Sequence, residues 1–182
     1  AQCELILQRG LLPHVNIGLL RDEEMALLSE VCASMGLMME GDYGELSRKI
    51  NPGKAFEDRL EHLCLAGQRR IPFTTGVLLG VGETQAERLK SLQAIAECAR
   101  KYGHVQEIIL QPYRPNPQSR LEAAPIRLEE LAELAGWCRH ELPEVHLQIP
   151  PNLHRRWPDL IAVGFDDLGG IGLNGDAVNA LY

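Results

Sequence analysis

The sequence predicts an α/β fold of the (β/α) barrel type, left open, on three observations. Helical and strand-like periods alternate along the chain, the strand candidates end one after another in polar or glycine residues, and there are six of them rather than eight. Parallel strands joined by helices form either a closed barrel or an open doubly wound sheet. Only the barrel brings every strand end to one face, so polar ends on all six favour it.

The elements follow in order. Ala1 already sits in a helix-like pattern, and residues 11–14 are the first strand candidate. Met25, Leu28, Val31 and Cys32 recur at helical spacing, before a strand candidate at 36–40. Phe56, Leu60, Leu63 and Cys64 mark the next helix. The strand at 72–79 alternates Phe73, Thr75, Val77 and Leu79 with Thr74, Gly76 and Leu78. Gly80 and Gly82 then free the backbone to turn, and Thr84 with Glu87 forms the T-x-x-E capping box that opens a helix through Leu89, Leu92, Ile95, Ala96 and Ala99. A strand at 105–111, a helix through Leu128, Leu131, Leu134, Ala135 and Cys138, a strand at 145–149 and a short strand at 167–169 complete the series. We expect residues 1–182 to form one domain, truncated at the N-terminus and at the C-terminus, holding about strands three to eight of a barrel. An open barrel edge would follow.

Composition narrows the function. With 182 residues, 45% hydrophobic and 24% charged, the chain can bury one core. No apolar run reaches the roughly 20 residues of a membrane helix, and the first residues do not resemble a signal peptide, so no membrane role and a cytoplasmic location are expected. A net charge of −7 argues against nucleic acid as a partner. The five cysteines, Cys3, Cys32, Cys64, Cys98 and Cys138, have no metal-binding spacing, and each falls in a helical pattern, as small buried hydrophobes of a reducing compartment do.

Strand ends supply the candidate site residues. Glu83 closes a glycine-broken turn one residue before a helix, and Glu40 follows the apolar run GLMM at the barrel mouth. Glu40 reads as a ligand-binding acid or as a surface acid. His14, ahead of Asn16, either orients substrate or satisfies local structure. Gln111 and Asn152 are amides that either read the edge of a heterocycle or satisfy loop backbone, and Asp167 lies at the last strand.

Gly76, Leu78, Gly80 and Glu83 fulfil G-x-[IL]-x-G-x-x-E, which resembles the S-adenosylmethionine-supporting motif of radical SAM enzymes. The strings LLPHVNIGLL, SMGLMME, NPGKAFEDRLEHLCLAG, YGHVQEIILQPYRPNP, LQIPPNL and FDDLGGIG, in that order, resemble the small subunit of the FO synthase family, the 7,8-didemethyl-8-hydroxy-5-deazariboflavin synthases of coenzyme F-420 biosynthesis. The resemblance implies a radical SAM-type, TIM-like barrel and a carbon-nitrogen lyase. It also implies a 4Fe-4S cluster that cleaves S-adenosylmethionine to a 5'-deoxyadenosyl radical. The implied substrate is a tyrosine/ribityl-diaminouracil adduct made by the other FO synthase subunit, converted to FO with loss of ammonia. Glu40, Gly76, Leu78, Gly80 and Glu83 would then face the cofactor, and His14, Asn16, Gln111, Asn152 and Asp167 the substrate.

The family's CxxxCxxC triad has no counterpart here, so this fragment is expected to bind no cluster and to be inactive by itself. Two other readings stay open: another radical SAM enzyme, such as the partner subunit or a menaquinone-pathway relative, and a cluster-free barrel acting as a binding module.

Overall fold

The computed structural model describes residues 1–115, 125–151 and 156–169. Six parallel strands lie in one sheet in chain order: β1 His14–Val15, β2 Ser34–Gly36, β3 Phe73–Leu79, β4 Val105–Pro112, β5 His146–Ile149 and β6 Asp167–Leu168. The helices are α1 Gln2–Gln8, α2 Asp22–Ser29, α3 Glu45–Ile50, α4 Phe56–Gln68, α5 Gln85–Tyr102, α6 Leu128–Glu141 and α7 Trp157–Ile161. Strictly sequential order excludes the doubly wound alternative, which needs a reversal point. The result is a half-barrel.

Alternation along the strands assigns the two faces. Phe73, Val77 and Leu79 of β3, Ile108 and Leu110 of β4, and Leu147 and Ile149 of β5 are buried in one core with Leu63 of α4, Leu92 and Ile95 of α5, and Leu131 and Leu134 of α6. Thr74, Gly76 and Leu78 point the other way. They stand in register with Glu107, Ile109 and Gln111 on β4, while His146 and Gln148 of β5 continue the rows and Asp167 of β6 adjoins Gln148. This concave face carries the polar side chains.

Several boundaries differ from the sequence expectation. The first strand begins at His14, because Pro13 has no N–H to give a ladder, and Leu11 and Leu12 are exposed. The second begins at Ser34, and its chain keeps bonding to β3 as far as Glu40, through Leu37 N–H to Thr74 O, Met39 N–H to Gly76 O and Leu78 N–H to Glu40 O. Helix α2 ends at Ser29, so Val31 and Cys32 lie beyond it. There the backbone is already turning into the sheet, where Ala33 N–H binds Pro13 O. The last strand stops at Leu168.

Among the described residues most exposed large apolar side chains fall within residues 5–27, at Leu5, Leu7, Leu11, Leu12, Ile17, Leu19 and Leu27. Among the described residues no helix is long and apolar enough to cross a membrane.

Candidate functional site

The strand ends form a rim held together by hydrogen bonds. Gly80 and Gly82 take left-handed backbone, with φ of 85° and 106°, which lets the chain leave β3 and re-enter as α5. Glu83 locks that turn. One carboxylate oxygen accepts from Gly80 N–H at 2.7 Å and from Arg88 Nε at 2.6 Å, and the other accepts from Val81 N–H at 2.7 Å. Its side chain is 0% exposed. Arg88 Nη1 reaches on to Glu130 of α6 at 2.8 Å, and this contact, with those to Arg127, holds the Glu130 carboxyl down at about 2. Glu83 therefore stands where the sequence puts it, but its carboxylate shapes the loop from inside.

Glu40 is the second rim acid and the more open one. It has a φ of 62°, an unusual conformation for a side chain with a Cβ, and its carboxylate lies 3.9 Å from Arg59 Nη1. Burial pushes its carboxyl up, against the pull of Arg59 and Lys54. The next residues fold over β3. Tyr43 donates its hydroxyl to Leu78 O at 2.7 Å, Ser47 Oγ bridges Tyr43 N–H and Gly41 O, and Asp42 pairs with Lys90 of α5 at 2.6 Å. A Cβ on Gly41 would collide with the Tyr43 ring. Leu78, Tyr43 and Val81 make a small apolar cluster of their own, with Leu46, Ile50 and Tyr113 packed against it. Gln111, opposite Leu78, belongs to this end.

Gly76 has a different reason to be glycine. A Cβ there would meet Ile109 O at 2.2 Å, so the residue permits β3 and β4 to pack and sits in the strand below the rim.

Deeper on the concave face a cavity of about 290 Å³ is lined by His14, Asn16, Gly36, Leu37, Met38, Thr74, Gln106, Glu107, Ile109 and Gln148. His14 and Asn16 thus line the same cavity. His14 Nδ1 lies 2.8 Å from Ser34 Oγ, and its ring occupies the space that Gly36 leaves, where a Cβ would stand 2.8 Å from Nε2. Burial lowers the His14 pKa.

Glu107 and Gln148 escaped the sequence reading. Burial first, and then the Asp167 carboxyl beside it, push the Glu107 carboxyl up to about 7, while Gln148 and Thr74 hydrogen bonds pull the other way. Gln106 Nε2 donates to Thr74 Oγ1 at 3.2 Å, which leaves the threonine hydrogen for Glu107. The available signal was the strand's own alternation, in which Glu107 shares a face with Ile109 and Gln111. Asn152 lies outside the described residues.

The cysteines do not fit an iron-sulfur cluster. Cys3 is in α1, Cys32 between α2 and β2, Cys64 in α4, Cys98 in α5 and Cys138 in α6, away from the rim. Cys64 Sγ and Cys98 Sγ do meet, 2.7 Å apart, between two outer helices. Among the described residues no group of three or more His, Cys, Asp or Glu side chains is placed to hold a metal ion.

No protein-family model matches the chain. Individual relatives do. It is 42% identical to the 7,8-didemethyl-8-hydroxy-5-deazariboflavin synthase of Synechococcus elongatus over 98% of its own length and 55% of the relative's. With the synthases of Methanosarcina acetivorans and Methanothermobacter thermautotrophicus it shares 42% and 40% identity, over 93% and 97% of this chain. The chain spans about half the length of the curated relatives it matches. Among solved structures, methylornithine synthase superimposes with a TM-score of 0.75 at 19% identity, covering 91% of this chain and 49% of that one. A domain of a pyruvate-formate lyase-activating enzyme gives 0.60 at 16% identity, over 81% and 86%. These likenesses agree with the incomplete TIM-like barrel expected from the sequence. Across nearly its whole length the chain is similar to about half of a 7,8-didemethyl-8-hydroxy-5-deazariboflavin synthase.

Proposed function

We propose that the enzyme to which these residues belong is a radical S-adenosylmethionine lyase that forms FO from the tyrosine/ribityl-diaminouracil adduct with loss of ammonia. The observation that carries this reading is identity above 40% with named synthases across nearly the whole chain. The division of the concave face into a rim and a polar cavity supports it. S-adenosylmethionine, when bound, supplies the radical that begins the reaction. Glu40 would accept from its ribose hydroxyls or its ammonium, Leu78 and Gly80 would pack against its adenosine, and Glu83 would act by holding the Gly80 turn. Gly76 contributes by letting β3 and β4 close up beneath them. His14, Asn16, Gln111, Asn152 and Asp167 would contact the adduct, which the other synthase subunit delivers in the cytoplasm.

The five cysteines lie on separate elements and do not make a 4Fe-4S cluster site. Its ligands would come from sequence outside these 182 residues.

The test is anaerobic turnover by the intact enzyme, given S-adenosylmethionine, a reductant and the adduct. Deazaflavin fluorescence with stoichiometric ammonia is expected, and consumption of S-adenosylmethionine without deazaflavin would overturn the reading. Glu40→Gln should weaken S-adenosylmethionine binding roughly tenfold to a hundredfold, the worth of one charge-assisted hydrogen bond. Unchanged affinity would remove Glu40 from the cofactor site.

A further inference from the structure

Ser34 and Gly36 lie on the concave side of β2, because Met35 between them is buried in the core with Leu37. Both act on His14 of the neighbouring strand, which stands opposite Ser34 in register. Ser34 Oγ meets the ring at Nδ1, 2.8 Å away. Gly36 leaves room for the far side of the ring, since a Cβ there would lie 2.8 Å from Nε2 and 3.1 Å from Cε1. Nε2 therefore stands over Gly36, in the place a side chain of residue 36 would take, and His14 and Gly36 both line the cavity. Burial favours the neutral ring, in which one nitrogen carries hydrogen and the other accepts. Among the described residues Nδ1 is the only hydrogen-bond partner of the Ser34 hydroxyl. A hydroxyl that donates to Nδ1 leaves the ring hydrogen on Nε2, which is also the tautomer a free histidine side chain prefers.

We infer that His14 donates its Nε2–H to a carbonyl oxygen of a heterocycle bound in the cavity, and that Ser34 is the positioning residue that fixes the ring and its tautomer. The rest of the lining suits such a ligand. The amides of Asn16, Gln106 and Gln148 each offer a donor and an acceptor, as the edge of a pyrimidinedione does, and a cavity of about 290 Å³ is at the small end of ligand pockets, the scale of one ring. No bond is made or broken in this role; the histidine reads an oxygen and holds the ring against β1 and β2. That the heterocycle is the diaminouracil part of the adduct rests on the proposed deazaflavin reaction, whereas the arrangement of Ser34, Gly36 and His14 does not.

Two measurements on the intact enzyme separate these. The first is imidazole ¹⁵N NMR without ligand, with His14→Phe identifying the resonances. A neutral ring protonated at Nε2 is expected, Ser34→Ala should turn it into a mixture of tautomers, and Ser34→Thr, which keeps the hydroxyl, should restore it. A ring protonated at Nδ1, or a tautomer that ignores Ser34→Ala, overturns the positioning role. The second is calorimetric titration with the adduct and with its two analogues in which one ring carbonyl oxygen is replaced by sulfur, a poorer acceptor. One of the two replacements should weaken binding to wild-type enzyme roughly tenfold and leave binding to His14→Phe unchanged, with thermal melting confirming that the variant folds. Ser34→Ala should show a smaller loss on the same analogue, and Ser34→Thr should recover it. If neither analogue distinguishes wild type from His14→Phe, the carbonyl contact is wrong. Failure of the adduct itself to bind an enzyme whose His14 shows the expected tautomer overturns the deazaflavin reading and leaves the Ser34–His14 arrangement standing.

Discussion

At the rim and in the cavity of this half-barrel, acidic side chains are surrounded in opposite ways. The rim pairs its acids with arginines: Glu83 and Glu130 share Arg88 at 2.6 and 2.8 Å, and Glu40 faces Arg59. In the cavity Glu107 shares the lining with the neutral side chains of Thr74, Gln106 and Gln148, and with no lysine or arginine among the described residues. A buried carboxylate neutralised by an arginine is fixed for as long as the fold lasts, whereas one neutralised by a proton can exchange that proton for a ligand. The acids beside the glycine motif therefore hold the turn from β3 into α5 in place.

The strongest way to break this contrast is to remove Arg88. Arg88→Ala leaves the fully buried Glu83 carboxylate without its cation and frees Glu130 of α6. A loss of about 3–5 kcal/mol is expected in denaturant unfolding of the intact protein. Glu83→Gln should likewise lower the melting temperature, because one of its two oxygens becomes an N–H₂ facing backbone donors. A normal melting curve combined with weakened cofactor binding would return Glu83 to the ligand-facing role that its motif implied.

One part of the pH dependence of stability should come from the cavity. Burial and Asp167 raise the Glu107 pKa to about 7, so below the ordinary carboxyl range both folded and unfolded chains hold the proton and nothing is lost. As pH rises from about 4.5 to 7 the unfolded chain releases it and the folded one keeps it, so stability falls until both are ionised. Glu107→Gln should flatten the decline across that window. A decline of the same size in the variant would assign it to other groups.

Much of this was legible in the sequence, for physical reasons that also explain what was not. Phe73, Val77 and Leu79 alternate because one side of β3 packs on helices, and Thr84 with Glu87 caps α5 through local contacts. Short-range regularities of this kind are visible in any single chain. The helices α3 and α7, of six and five residues, are too short to show a period. His14, Thr74, Glu107 and Gln148 line one cavity from four different strands, and only the register of the sheet brings them together. Likewise, nothing in a G-x-[IL]-x-G-x-x-E pattern says that Glu83 turns inward or that Gly76 serves strand packing.

A third prediction tests that last distinction. Gly76→Ala should cost about 1–3 kcal/mol or more, because its Cβ overlaps a backbone oxygen of β4 that cannot step aside as a side chain would. Loss of stability with normal cofactor affinity per folded molecule is expected. Weakened affinity in a fully stable variant would instead make Gly76 a ligand contact.

The smallest effect is expected at Thr84, where the rim passes into α5. Its hydroxyl accepts from Glu87 N–H at 3.3 Å and donates to the Glu87 carboxylate at 2.8 Å, while Glu87 reaches back to Thr84 N–H at 2.7 Å. Thr84→Ala removes the two hydroxyl contacts and keeps the third, at an exposed position where water can replace what is lost. The cost should be about 1 kcal/mol, as for other N-cap residues. Because the cap touches the rim and not the cavity, Thr84→Ala should leave the Glu107 titration unmoved. A shifted Glu107 midpoint in this variant would mean that the turn from β3 into α5 sets the geometry of both regions, and that the rim and the cavity respond as one unit.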